Sequence, residues 1–186
     1  MKHLKEKVES FVKKYFDVVG CSDIETLTEA VKKVNYAAIE ALKDYVETND
    51  NLASAYDVIV TDLHCKGLYD PKDNIICIHP GWSLYYFDLI DEDAENLKDK
   101  ISTMLHEHRH AKQYTETMKY LRKYRNHWKK NIPEGQDDYY DDPLEVDARR
   151  YAEKYINEAF EYLLANLERK LEEEMIMVEA LYGAFE

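Results

Sequence analysis

His106-Glu107-His108-Arg109-His110 is the stretch of this 186-residue chain whose residue types and spacing could do chemistry. His106, Glu107 and His110 form an HExxH motif. On a helix, residues four apart lie one turn apart on the same face, so the two imidazoles converge on one divalent ion. Glu107 then stands beside the ion, where it can take a proton from water. That combination points to zinc-dependent hydrolysis, most often of peptide bonds.

The reading requires a helix, because a strand would put His106, His108 and His110 on one side. The flanks supply it. Ile101, Met104, Leu105, His108, Ala111 and Thr115 recur at the spacing of one helical stripe, with no period-two alternation. His106, His110 and Gln113 fall on the opposite stripe. His108 therefore faces the apolar side and is excluded as a ligand of the same ion; it reads as a core histidine.

Catalytic zinc takes three protein ligands and leaves a position for water, so a third must come from elsewhere. Asp141-Asp142-Pro143-Leu144-Glu145-Val146-Asp147-Ala148 reads as a helix start. Asp142 serves as N-cap and Pro143 as first helical residue, which places Glu145 in the opening turn, where the helix dipole favours negative charge. Glu145 shares a face with Ala148, Arg149 and Ala152, and the small alanines permit close approach of two helices. Asp147 sits about 160° away and is the weaker alternative.

His106-Glu107-x-x-His110 with Glu145-x-x-Ala148 resembles the gluzincin pattern of HExxH zinc metallopeptidases. The wider run from His106 to Gln113, with Pro143, Glu145, Asp147, Ala148 and Ala152, is similar to the small metallopeptidase domains of phage and mobile-element proteins, including the ImmA/IrrE-like group. The resemblance spans roughly residues 56–155 and rests on about a dozen positions. It implies that His106, His110 and Glu145 bind one Zn²⁺, that Glu107 is the general base, and that one edge of a small sheet ahead of the HExxH helix lines a cleft for a peptide or protein substrate. The implied fold is α+β and mostly helical, a minimal zincin-like metallopeptidase with a small β-sheet or hairpin before the motif helix. No third histidine of the metzincin kind follows His110.

These residues need elements to hold them, and the rest of the chain supplies candidates. Leu4, Val8, Phe11, Val12 and Tyr15 mark an amphipathic helix stopping near Gly20. A second begins at Ser22-Asp23-Ile24-Glu25, a capping-box pattern, and runs through Leu27, Val31, Val34, Ala38 and Leu42 to the break at Asn49-Asp50-Asn51. Tyr56 to Leu63 and Asn74 to His79 read as two short strands of a hairpin, joined by a loop with Gly67, Asp70 and Pro71. The aromatic run over 80–87 follows and reads as core. From Pro143 onward the pattern is helical, with Phe160, Leu164, Leu167, Leu171, Met175, Val178 and Tyr182 on one stripe. This is either one long helix or two joined near Arg169 to Glu174. The expected organisation is a single domain over 1–186: N-terminal helices over 1–50, a metallopeptidase-like core over 56–155, and a C-terminal helical segment over 156–186.

Composition bounds the partners. A net charge of −13, with 34% charged residues, disfavours nucleic acid. No apolar run approaches a membrane span, and the N-terminus lacks a signal peptide's apolar core, so a cytoplasmic location is expected. Cys21, Cys65 and Cys77 are unpatterned and read as reduced thiols. Four side chains, His64, Cys65, Cys77 and His79, form a rival metal set across the hairpin, weakened by the opposite facing of neighbouring strand residues. Lys119, Arg122, Lys123, Arg125, Lys129 and Lys130 make a basic run that reads as a solvated helix balanced by Asp137, Asp138, Asp141 and Asp142. Tyr139, Tyr140 and His127 are candidates for stabilising an oxyanion. Two other readings stand beside hydrolysis: a catalytically inactive metal-binding regulatory or protein-interaction domain, and a helical scaffold without metal.

Overall fold

The computed structural model describes residues 2–50, 56–79, 94–114, 118–132 and 135–182. It is mostly helical with one small sheet. Helix α1 (Lys2–Val19) buries the apolar stripe Leu4, Val8, Phe11, Val12 and Tyr15. It stops where Gly20 turns left-handed, φ 71°, and returns its N–H to the carbonyl of Phe16. An L side chain resists that φ, so glycine suits the position. Helix α2 (Ile24–Asp50) is capped by Asp23, whose Oδ1 accepts from the N–H and the hydroxyl of Thr26, both at 2.8 Å. The cap is Asp23 and not Ser22, because the carboxylate reaches two donors at once.

The sheet holds β1 (Asp57–Val60), β2 (Gly67–Asp70) and β3 (Ile75–Ile78) in the order β1-β3-β2. The expected hairpin between the segments 56–63 and 74–79 is corrected here: β1 runs parallel to β3, with Ile59 opposite Cys77. The hairpin partner of β3 is β2, antiparallel, with Leu68 opposite Cys77. Its turn is tight. Asp70 Oδ1 accepts from the Lys72 N–H at 2.8 Å, Asn74 takes φ 57°, and the Tyr69 hydroxyl donates to Asn74 Oδ1 at 2.7 Å. Asn tolerates that left-handed φ better than most residues.

Helix α3 (Ala94–Gln113) buries Leu97, Ile101, Met104, Leu105, His108 and Ala111. Helix α4 (Lys119–Lys130) buries Trp128, whose indole N–H donates to Gln136 Oε1 at 3.0 Å. Helix α5 (Pro143–Tyr182) is one unbroken helix of 40 residues, about 60 Å long, with no joint near 169–174. Of its expected stripe, Phe160, Leu167, Leu171, Met175 and Val178 are buried and Tyr182 is exposed.

The chain divides into two compact units, one of residues 1–45, 83–100 and 158–186 and the other of 46–82 and 101–157. Among its described residues the first is helical. In it α1 and α2 are tied to the later part of α5 by Lys7–Glu168, by Lys33–Glu174 at 3.0 Å, and by Asp44 with Lys170 at 2.8 Å and Arg169 at 3.0 Å. The second carries the sheet, the HExxH segment of α3, α4 and the start of α5. Of the expected core of 56–155, residues 56–82 and 101–155 belong to this second unit and 83–100 to the first, which also takes residues 1–45 and 158–186. Among the described residues no helix is long and apolar enough to cross a membrane. The aromatic run at 80–87 lies outside the described residues.

Candidate metal centre

Helix α3 delivers His106 and His110 to one face, one turn apart. The first turn of α5 delivers Glu145, and the sequence fixes where that turn begins. Asp142 caps it: Oδ1 accepts from the Leu144 N–H at 2.9 Å, and its carbonyl accepts from the Val146 N–H at 2.9 Å. Asp142 is buried, and its charge is met by Arg125 Nε at 2.7 and 3.0 Å and by Lys129 at 3.4 Å. Part of the basic run is therefore a counter-charge for the cap.

The three side chains meet. His106 Nε2 lies 3.2 Å from Glu145 Oε2, His110 Nε2 lies 3.3 Å from Glu145 Oε1, and the two Nε2 atoms are 3.0 Å apart. Ligands about 2.1 Å from a tetrahedral ion stand about 3.4 Å from one another. The two nitrogens and one oxygen therefore fit a small divalent ion with little movement. Among the described residues this is the only group of three or more His, Cys, Asp or Glu side chains close enough to share an ion, all its donor atoms lying within 4.8 Å. His64, Cys65, Cys77 and His79 form no such group, and the three cysteines are free thiols.

Asp147, the alternative third ligand, is held elsewhere. Arg109 grips it with Nε at 2.7 Å and Nη2 at 3.1 Å, and Gln113 donates to it at 2.9 Å. His108 points into the core, where its Nδ1 lies 2.6 Å from the Tyr56 hydroxyl. Gln113 is fully buried, and besides Asp147 it contacts His110 Nδ1 at 2.8 Å and the Leu144 carbonyl at 2.9 Å.

Glu107 is also buried. Burial pushes its carboxyl pKa up, and the charges of His110 and His106 oppose that only in part. The backbone N–H of Tyr69 donates to it. Strand β2 presses on it so closely that a Cβ at Gly67 would stand 2.8 Å from Glu107 Cγ. Glycine is needed there for space, since its φ is ordinary. Glu145 is shifted the other way: burial would raise it, but hydrogen bonds from His106 and His110 and their charge hold it well below the usual carboxylate range. His110 is raised, because its bond to Glu145 and the charges of Glu107 and Glu145 outweigh burial.

These groups line a cleft of about 330 Å³ with Cys65, Leu68, Tyr69, Tyr114 and Tyr139. Of the three oxyanion candidates, only Tyr139 is in it. Asp137 Oδ1 accepts from the N–H groups of Tyr139 and Tyr140 at 2.8 and 2.6 Å, shaping the turn that carries both. The Tyr139 hydroxyl bonds to Glu145 and is pushed up to about 12 by partial burial and the Glu145 charge, so it stays protonated. Tyr140 lies under the Arg149 guanidinium, and His127 is exposed on α4. Sequence reasoning did not assign Gly67, Tyr69 or Gln113 a part in the site. Only Gln113 carried a signal, its place three residues after His110 on the same stripe.

The chain matches no protein-family model, no curated protein and no solved structure.

Proposed function

We propose that this protein is a zinc-dependent peptidase, with His106, His110 and Glu145 holding one Zn²⁺ and Glu107 as general base, on a zincin-like fold. The observation that carries the reading is the gathering of two imidazole nitrogens and one carboxylate oxygen within 4.8 Å, beside a buried carboxyl of raised pKa. A bound zinc ion supplies Lewis acidity, which lowers the pKa of water and polarises a carbonyl.

The chain's own groups do the rest. Glu107 accepts a proton at a carboxylate oxygen and passes it to the leaving amine, a task that suits a carboxyl whose pKa burial raises. Tyr139 keeps its proton and donates a hydrogen bond to the oxygen on which charge develops. A peptide substrate is supported by β2, which among the described residues pairs on one side only and runs along the cleft. The unpaired side of such a strand faces an extended chain, although here the Tyr69 N–H bonds to Glu107 and the Gly67 carbonyl accepts from Cys65 Sγ, so a peptide would pair with the remaining groups or displace these.

Metal content and turnover test this together. The expected result is about one zinc per native chain, lost in His110→Ala and Glu145→Ala, and retained in Glu107→Gln. That last variant should hydrolyse quenched fluorescent peptides about 10²–10⁴-fold more slowly than the native chain. Equal turnover in Glu107→Gln removes the general-base assignment. A folded native chain that takes up no zinc removes the metal centre.

A further inference from the structure

We infer that Gln113 is a positioning residue that does two things with one side chain: it fixes which nitrogen of His110 faces the cleft, and it seats the turn of α5 that carries Glu145. The inference rests on the reading of His106, His110 and Glu145 as a metal centre.

Gln113 is fully buried near the C-terminal end of α3. A buried amide is costly unless its polar atoms are satisfied. Here they are, and the chemistry of the partners fixes the orientation. The Leu144 carbonyl oxygen, 2.9 Å away, can only accept. Asp147 lies on the same side, its Oδ2 also at 2.9 Å and already accepting from Arg109 Nε at 2.7 Å. The amide must therefore turn its NH₂ toward α5, and its oxygen, which cannot donate, faces His110.

That oxygen lies 2.8 Å from His110 Nδ1, so Nδ1 is the nitrogen that carries the proton. In the neutral ring the lone pair is then left at Nε2. Nε2 is the nitrogen aimed at the other candidate ligands, 3.0 Å from His106 Nε2 and 3.3 Å from Glu145 Oε1. A proton at Nε2 instead would leave no lone pair facing the ion. The choice of ligand atom is thus passed along a chain of one-way hydrogen bonds, from Arg109 to Asp147 and from His110 through Gln113 to Asp147.

The other arm acts on the third ligand. Leu144 is buried and directly precedes Glu145, so the bond from Gln113 to its carbonyl pins the backbone of the first turn of α5 against α3. His110 and Glu145 are 35 residues apart in sequence but lie on either side of one amide. A merely structural glutamine would fasten the two helices without dictating the state of the imidazole.

Two variants separate the arms. Gln113→Leu keeps the bulk and loses every hydrogen bond; Gln113→Met replaces it if the leucine variant does not fold. Gln113→Glu keeps an oxygen facing His110 Nδ1 and loses the donor to Leu144 and Asp147. Zinc affinity is read by competition with a chromophoric chelator. The site of the His110 proton is read in metal-free protein from the imidazole ¹⁵N resonances, at a pH where the ring is neutral. The native chain and Gln113→Glu should carry the proton on Nδ1, and Gln113→Leu should lose that preference. Zinc binding should weaken by about 10–100-fold in Gln113→Leu, with Gln113→Glu falling between it and the native chain. An unchanged proton position in Gln113→Leu, or any other order of affinities, overturns the inference. A native chain that binds no zinc ends the metal reading, and the proton position then decides the role of Gln113 by itself.

Discussion

Placing alanine at Gly67 tests whether β2 holds the buried Glu107 as tightly as the geometry says. The new Cβ would stand 2.8 Å from Glu107 Cγ, 3.1 Å from its Oε1 and 3.2 Å from Ile78 Cδ1. An ordinary contact needs about 3.5–4 Å, so the Glu107 side chain or the strand must shift by roughly 0.7–1.2 Å. Overpacking a buried site costs about 1–3 kcal/mol, and a 1 Å error in a catalytic group costs about 10²-fold in rate. None of the three contacts involves His106, His110 or Glu145. Gly67→Ala should therefore lose stability and turnover while keeping its zinc. Urea denaturation measures the first, and the second set of assays is peptide cleavage with elemental analysis. A control isolates the cause: in a Glu107→Ala background the clash with Cγ and Oε1 is gone, so Gly67→Ala should cost much less than in the native chain. The reasoning fails if Gly67→Ala costs the same in both backgrounds, or if it leaves native stability and turnover unchanged.

Tyr139→Phe keeps the ring in the cleft and removes the donor; at saturating zinc, turnover should fall by about 10²–10³-fold, while the lost bond to Glu145 weakens zinc far less than loss of a ligand does, as judged by steady-state kinetics beside chelator competition. A change confined to KM would contradict the oxyanion role. Asp44 gives a prediction in pH. Burial would raise its pKa, but Lys170 and Arg169 outweigh burial and hold it below the ordinary value. Its contribution to stability is then fully present above the unfolded value of about 3.9 and lost as pH falls through the lower folded value. Urea midpoints followed from neutral pH into acid should drop less steeply in Asp44→Asn than in the native chain, and an identical acid limb would refute the assignment.

Much of the site was legible because its determinants are local. HExxH spacing, the apolar stripe through Leu105 and His108, and the Asp142-Pro143 cap each act within a few residues, and each is found where local rules place it. The sheet was less legible because strand partners are chosen over distance. Ile59 and Cys77 pair in parallel across 18 positions, and nothing in the period of either strand records direction. Gly67-Leu68-Tyr69-Asp70 read as loop because glycine and aspartate disfavour strands. The glycine is there for Glu107, a demand of packing invisible to propensity. Asp147 reads as an alternative ligand because the sequence does not show that Arg109 and Gln113 already hold it.

The buried cap at Asp142 also decides which changes of length the chain could tolerate. Helical phase is counted from the cap, with Glu145 three residues on, and each residue turns the helix by about 100°. One residue added between Asp142 and Glu145 would swing the carboxylate away from both histidines. One residue added between Asn131 and Gln136, ahead of the turn that begins at Asp137, leaves that count intact, because Arg125 and Lys129 hold the cap from α4. Connecting segments upstream of Asp137 can therefore drift in length while the angle of the carboxylate stays fixed. The freedom to vary and the need for constancy meet at a boundary one ion pair wide.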